Sequence, residues 1–310
     1  MATICYNYSM QVFNPDELKR LYRPPNNSHK GQNGKLLIIG GSSLFHAASL
    51  WALEIASKIV DMVYYSSVPE NNQIILEAKK TFRNGIVVRR ENLQEYVEEA
   101  DCILIGPGMA RQTQKSSASW RIKGQNQNSK LKNLYELKHI KDEGLQTYLF
   151  TQYLLSHYPN KKWVIDAGAL QEMEVSWVPD NAILTPHAGE FEKLFLTQNH
   201  SLKFKTVLEK AKKYNCTILL KGDSDIVCSP SKCCLVKGGN AGMTKGGTGD
   251  VLAGLTAAFY CKNEPFLSAC AASYLNKKAG ESLFEKQGFY FNASDLVNEL
   301  PKVMKKYLRY

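Results

Sequence analysis

The run Lys245–Asp250, KGGTGD, leads straight into an apolar stretch, GDVLAGLTAAFYCK, over residues 249–262. Gly246, Gly247 and Gly249 permit a tight turn that aims several backbone N–H groups at one spot, which suits an anion. A helix starting near Thr248 adds the positive end of its dipole. Asp250, in the first turn, repels phosphate if binding is all that happens. It makes sense as a base that takes a proton from a substrate hydroxyl, which then attacks a phosphoryl group held at Gly247, Thr248 and Gly249. The competing reading is a plain helix cap, and on spacing alone the two stand level. Val251, Leu252, Leu255, Ala258 and Phe259 form an apolar stripe, and Ala253, Gly254 and Ala257 permit close packing, so the helix would hold its N-terminus rigidly. The pattern is not GxxxxGK[ST], because Lys245 precedes the glycines, and GGSSLF (40–45) does not match GxGxxG.

Other candidates stand at apolar-to-polar junctions. TPHAGE (185–190) places His187 and Glu190 on a proline–glycine turn. His187 is read as a substrate contact. Glu190 either caps the following helix or holds a metal-bound water. Lys221 ends an apolar run at Gly222, which suits a charge facing a nucleotide phosphate; the alternative is a solvated strand-end lysine. Asp166 ends VID, where it positions Mg²⁺ or substrate, or caps a turn.

These motifs need elements to carry them. KLLIIGGS (35–42), MVYYSSV (62–68), GIVVRR (85–90), DCILIGPG (101–108), KWVIDAGAL (162–170), AILTPHAGE (182–190) and CTILLKG (216–222) read as strands. Helical spacing covers 47–60, 91–99, 143–157, 190–196, 203–214, 249–262, 265–286 and 294–307. A short helix near Pro15–Tyr22 is capped by Asn14 or Asp16, and 225–230 with 232–238 reads as a hairpin. Strands alternating with helices predict an α/β fold with one doubly wound, mostly parallel sheet and helices on both faces, in one domain over 1–310. Residues 1–28 read as a polar lead-in and 111–140 as a polar, basic insertion. Ligands in such folds gather at the carboxyl ends of the strands, where GGS (40–42), GPG (106–108), DAG (166–168), TPHAGE, KGD (221–223) and GGTGD all fall.

The formal charge of +10 is concentrated. Residues 111–147 hold eight basic side chains against three acidic ones, half of the excess. Elsewhere the charge is mild, which argues against nucleic acid. The eight cysteines show no CxxC spacing and no paired histidines, so reduced thiols in a cytoplasmic protein are expected and zinc is not. The N-terminus lacks the pattern of a secretory signal, and no apolar run approaches the ~18 residues of a membrane span.

Taken in order, HKGQNGKLLIIGGS (29–42), GPGM (106–109), VIDAGAL (164–170), ILTPHAGEF (183–191), LLKGDSDIV (219–227) and GNAGMTKGGTGDVLAG (239–254) resemble the ADP/ATP-dependent NAD(P)H-hydrate dehydratases of the ribokinase-like superfamily. The resemblance spans about 23–306. It implies a lyase that repairs the (6S) hydrate of NADH or NADPH by phosphorylating the 6-hydroxyl and eliminating phosphate, with ATP or ADP as donor and Mg²⁺ present. Asp250 would be the base, with the Gly246–Gly249 amides on the transferred group. Ala48, Gly108, His187 and Asp250 would hold the hydrated coenzyme. Lys221, Gly222, Asp223, Ser224, Asp225 and Gly249 would hold the adenine nucleotide, and Asn240 falls within the same motifs. A homo-oligomer, by resemblance a tetramer, and a separate epimerase are also implied. The chain departs from the family at Gly168, where a second carboxylate is common after Asp166-Ala167, at His46, Ala47 and Ala110, where glycine or a small residue is common, and at Asp225, where bacterial members have Thr. The alternatives are a small-molecule kinase of the hydroxymethylpyrimidine or thiazole type and a nucleotide-binding regulator without catalysis.

Overall fold

The computed structural model describes residues 11–112, 131–196 and 204–308. Its strands are β1 (Gln11–Val12), β2 (Lys35–Ile39), β3 (Met62–Ser66), β4 (Ile86–Val87), β5 (Cys102–Ile105), β6 (Lys162–Ile165), β7 (Ile183–Leu184), β8 (Thr217–Leu220), β9 (Asp225–Cys228) and β10 (Cys233–Val236). They form one sheet in the order β1-β10-β9-β8-β7-β6-β5-β2-β3-β4. Pairing is parallel except where β9 meets β8 and β10. The helices are α1 (Ala47–Ala56), α2 (Pro69–Ala78), α3 (Leu93–Glu99), α4 (Glu143–His157), α5 (Ala167–Glu172), α6 (Ala188–Phe195), α7 (Phe204–Lys213), α8 (Thr248–Tyr260), α9 (Pro265–Gln287) and α10 (Ala293–Leu308).

The central strands are apolar at every position because both faces are covered. Successive residues then go to opposite cores. Leu36, Ile38, Cys102 and Leu104 pack with α1, α8, α9 and α10, while Leu37, Ile39, Ile103 and Ile105 pack with α3, α4, α6 and α7. The doubly wound, mostly parallel sheet expected from the sequence is therefore what the chain forms.

Several local expectations need correction. Helix α8 carries no single stripe, since every residue from Val251 to Tyr260 is buried. It lies between the sheet and its neighbours, and a Cβ on Gly254 would stand 2.7 Å from the Ala52 backbone of α1. Helix α2 went unpredicted because PENNQIILEA reads as polar; Pro69 at its first turn was the available signal. The strand expected over 162–170 stops at Ile165, because Ala167 adopts φ +42° and turns the chain into α5. The strand expected at 85–90 is only Ile86–Val87. The lead-in contributes β1, and its Phe13, Leu18 and Leu21 are buried. Asn14 is its cap, accepting the Asp16 N–H at 3.0 Å. Within the basic insertion, residues 113–130 lie outside the described residues, but Leu134–His139 form a 3₁₀ turn that buries Leu134 and Leu137. The expectation of reduced thiols fails at the hairpin: register places Cys228 opposite Cys233 with Cα atoms 4.1 Å apart, and the two are disulfide-bonded. Cys102, Cys216, Cys234, Cys261 and Cys270 are free and buried. No helix among the described residues is long and apolar enough to cross a membrane.

Candidate active site

Strands β6, β7 and β8 are neighbours, so the residues just beyond them meet at one edge. Asp166 follows β6, His187 lies beyond β7 and Lys221 follows β8. The Lys221 Nζ is 3.0 Å from Asp166 Oδ1 and 3.9 Å from Glu190 Oε2. The Thr185 hydroxyl donates to the same Asp166 oxygen at 2.7 Å. Burial alone lowers the Lys221 pKa, but Asp166, Glu190 and Asp250 outweigh it and the net direction is up. Lys221 therefore stays an ammonium among three carboxylates.

The N-terminus of α8 faces this pair. Gly247 holds φ +94°, and a Cβ there would collide with the Trp51 ring. The Thr248 hydroxyl donates to the carbonyls of Met243 and Lys245 at 2.6 and 2.9 Å, tying the glycine loop to its own helix. Lys245 Nζ donates to the Phe289 carbonyl, so it braces the loop from outside. The amide of Gly249 has no acceptor within the helix, as in any first turn, while the Asp250 N–H turns to its own carboxylate. A Cβ on Gly249 would stand 3.6 Å from Lys221 Nζ, so the helix N-terminus and that ammonium address the same space. Asp250 has its pKa pushed up to about 7, first by burial and then by Asp166, with Lys221 opposing. A carboxylate that titrates near neutrality is an efficient proton acceptor.

His187 and Glu190 form a reciprocal cap on α6. The Glu190 N–H donates to His187 Nδ1 at 3.2 Å and the His187 N–H donates to Glu190 Oε2 at 2.9 Å. Gln171 donates to Glu190 Oε1 at 2.7 Å. Of the two readings open for Glu190, the cap is the one the geometry displays. With Nδ1 accepting, the imidazole proton falls to Nε2, and the His187 side chain is 58% exposed. Asn240 is also a cap: its Oδ1 accepts the Gly242 N–H at 2.9 Å and its Nδ2 donates to the Gly280 carbonyl at 2.8 Å.

A cleft of about 630 Å³ lies between loop 221–225, loop 238–249 and α9. Lys221, Gly222, Asp223, Asp225, Gly249 and His187 line it; Ser224 is not among the lining residues. Asp225 is a buried brace. Its Oδ1 accepts the Gly222 N–H at 2.9 Å, its Oδ2 accepts the Ser273 hydroxyl at 2.7 Å, and Lys277 Nζ lies 3.2 Å away. Lys277 also donates to the carbonyls of Gly222 and Asp223, both at 3.1 Å. Sequence reasoning missed Lys277, because SYLNKKAGES reads as an ordinary helix surface. Replacing Asp225 by Ala should leave a buried ammonium unpaired, lowering stability by about 3 kcal/mol. Thermal unfolding reads that loss, and the loosened loop should raise the nucleotide KM more than it lowers kcat.

Ala48 and Gly108 lie on the other side of Asp166. Gly108 has φ +70°, and a Cβ on it would stand 3.0 Å from that of Ala48 and 2.8 Å from the Phe45 carbonyl oxygen. The two residues thus form a closely packed floor between α1 and the turn after β5. Gly168 explains itself similarly: a Cβ there would overlap the Met109 carbonyl oxygen. The 107–109 backbone takes the space that a second carboxylate after Asp166 would need.

With this geometry in view, the family model described as NAD(P)H-hydrate dehydratase matches residues 138–302. The chain belongs to the NAD(P)H-hydrate dehydratase family. It is 32% identical to the ADP-dependent (S)-NAD(P)H-hydrate dehydratase of Nitrosopumilus maritimus, over 90% of this chain and 91% of that one. It is 34% identical to the bifunctional NAD(P)H-hydrate repair enzyme of Methanocaldococcus jannaschii, over 93% of this chain and 52% of that protein. The chain thus spans about half the length of the bifunctional relatives it matches. Among solved structures, the ADP/ATP-dependent NAD(P)H-hydrate dehydratase of Bacillus subtilis co-crystallised with ATP/Mg²⁺ superposes with a TM-score of 0.73 at 22% identity, covering 96% of this chain and 99% of that one. A ribokinase-like superfamily protein of Enterococcus faecalis gives the same TM-score at 21% identity, over the whole of both chains. These two likenesses establish the ribokinase-like fold.

Proposed function

We propose that the chain restores the (6S) hydrate of NADH or NADPH to the reduced coenzyme at the expense of ADP or ATP. Asp250 carries this reading: a carboxylate with a pKa near 7 at the N-terminus of a buried helix, beside the Lys221–Asp166 pair. The adenine nucleotide occupies the cleft braced by Asp225 and Lys277. Lys221 and the first-turn amides of α8 meet its terminal phosphate. Asp250 takes the proton of the 6-hydroxyl, the freed oxygen attacks the terminal phosphorus, and the bond to the rest of the nucleotide breaks. The C6–O bond of the ester then breaks, phosphate leaves, and a proton lost from C5 completes the ring double bond. His187, its Nε2 3.5 Å from Glu190 Oε1 and its ring otherwise exposed, and the floor at Ala48 and Gly108 hold the acceptor.

Family resemblance implies Mg²⁺. No group of three metal-ligating side chains stands together among the described residues, and Glu190 is committed to its cap. The donor set therefore fits Mg²⁺ carried by nucleotide phosphates. When bound, the ion would neutralise charge on the phosphates. A homo-oligomer is a further part of this proposal; light scattering on the purified chain reads it.

The experiment is incubation of hydrated NADH or NADPH with ADP or ATP, following the return of the reduced coenzyme's absorbance. A stable phosphorylated product without recovery of the coenzyme would refute the dehydratase reading. The pH profile adds a prediction. Asp250 acts only when ionised and its pKa is raised to about 7, so kcat/KM should fall below that pH by about tenfold per unit and level off above it.

A further inference from the structure

A second cavity, of about 790 Å³, opens at the β3–β4 end of the same sheet edge, on the opposite flank from the nucleotide cleft. Two distant stretches supply its cations: Arg89 and Arg90 beyond β4, and Lys138 and Lys141 ahead of α4. Glu70, Glu91 and Glu143 also line it, but Glu143 is committed to the Ser43 N–H at 3.1 Å. Tyr135 and Leu76 present apolar surface, 57% and 50% exposed. Arg90 is built into the wall. Its Nη1 donates to Gln146 at 2.8 Å, its guanidinium lies 5.0 Å over the Phe150 ring, and its buried Nε has no hydrogen-bond partner among the described residues. Burial pushes its pKa down to about 10, against the raising influence of Glu143, Tyr65 and Glu70, so it remains charged at neutral pH.

A chain of buried contacts links the lining of the cavity to the acceptor floor. Ser67 in its lining accepts from Asn71 at 3.0 Å, Asn71 donates to the Tyr65 hydroxyl at 2.6 Å, and that hydroxyl meets Ser49, next to Ala48, at 2.8 Å. Gly41 bridges the same gap: a Cβ on it would stand 2.6 Å from Ser67 Oγ, and one on Gly108 would stand 3.3 Å from Gly41 Cα. From Asp166 to Ser67 the edge runs β6-β5-β2-β3, three strand spacings or about 14 Å. A ligand whose reacting ring lies by Asp250 and whose remainder extends along this edge reaches a pocket with positive charge and an aromatic wall.

We propose that this cavity seats the phosphorylated adenosine half of the hydrated coenzyme, with Arg89 and Lys138 on its phosphates and Tyr135 and Leu76 against its base. This rests on the dehydratase reading above. It puts phosphoryl acceptor and donor on opposite flanks of Asp250, as in-line transfer needs.

Arg89 and Lys138 are exposed, so Arg89→Ala and Lys138→Ala are the substitutions least able to disturb folding. Each should raise KM for hydrated NADPH by about ten- to a hundredfold, the effect of one lost charged hydrogen bond, with a smaller change in kcat. The penalty should shrink to within about twofold for hydrated reduced nicotinamide mononucleotide, which lacks the adenosine half. If the parent enzyme dehydrates but both variants keep its KM for hydrated NADPH, the site assignment falls and the dehydratase reading stands. If the parent does not dehydrate, that reading falls, and binding of adenosine 2′,5′-bisphosphate, with the nucleotide cleft filled by a non-hydrolysable ATP analogue, decides the cavity. Weakening of about tenfold or more in Arg89→Ala supports it; equal affinity overturns it.

Discussion

Asp250→Asn is expected to lower turnover of hydrated NADH by at least about a hundredfold, the scale for losing a general base, and to leave nucleotide binding in place. It should also make the protein more stable at pH 8. The Asp250 pKa rises from 3.8 to about 7 on folding, through burial and then Asp166. A carboxylate raised in this way contributes its full share of stability below its unfolded value and loses it as pH rises through the folded one. Above about pH 7 the folded chain therefore holds an ionised group against its surroundings. A shift of roughly three units at 1.36 kcal/mol each bounds the gain at about 4 kcal/mol, and solvent in the cleft reduces it to about 1–2 kcal/mol. Thermal unfolding of parent and variant at pH 8 and at pH 4 checks the sign: the gain should be present at the first and nearly absent at the second. Unchanged turnover would refute Asp250 as the base, and a lower Tm at pH 8 would refute the account of its environment.

The order of strands and helices was legible because each central strand is an apolar run bounded by glycine or proline, and both cores could be read from alternation within LLII and CILI. Lys221 and Asp166 were legible for a related reason: each stands where an apolar run ends, and parallel topology brings such ends together; Asp250 was legible at the start of an apolar run, directly behind its glycines. What stayed hidden depends on distance through space. Nothing in the sequence says that Asp225 turns inward onto Lys277, 52 positions along the chain by their numbers, so its part as a brace of the cleft stayed hidden. His187 and Glu190 were individually visible, but their mutual cap depends on the rotamers of both. The vacant place of a carboxylate at Gly168 could be named from the motif; only the Met109 carbonyl shows why no side chain fits there. The β9–β10 register likewise sets two cysteines face to face that spacing alone had left apart.

Gly247→Ala is expected to be the most damaging single-methyl change at the site. Gly247 caps α8 at φ +94°, a left-handed conformation that costs an L-residue about 1–2 kcal/mol. Its added Cβ would also run into the Trp51 ring and stand 2.8 Å from the Ala293 Cβ. Trp51 cannot move aside freely, because its indole N–H donates to the Ser294 hydroxyl at 3.0 Å across the α1–α10 junction. Either the ring or the first turn of α8 must shift. Strain and overpacking together should lower stability by about 2–4 kcal/mol. If the turn shifts, the Gly249 amide and the Asp250 carboxylate leave the positions that face the transferring phosphoryl group, and turnover should fall by about a hundredfold or more. Gly246→Ala is the internal control. Gly246 has nothing within 4 Å of an added Cβ and no positive φ, so its stability should change by less than about 0.5 kcal/mol. Trp51→Leu in the Gly247→Ala background should recover part of the stability if the clash is the cause. Parent-like turnover in Gly247→Ala would mean that the first-turn amides are not held rigidly by α8, and the anion-site reading of KGGTGD would lose its structural basis.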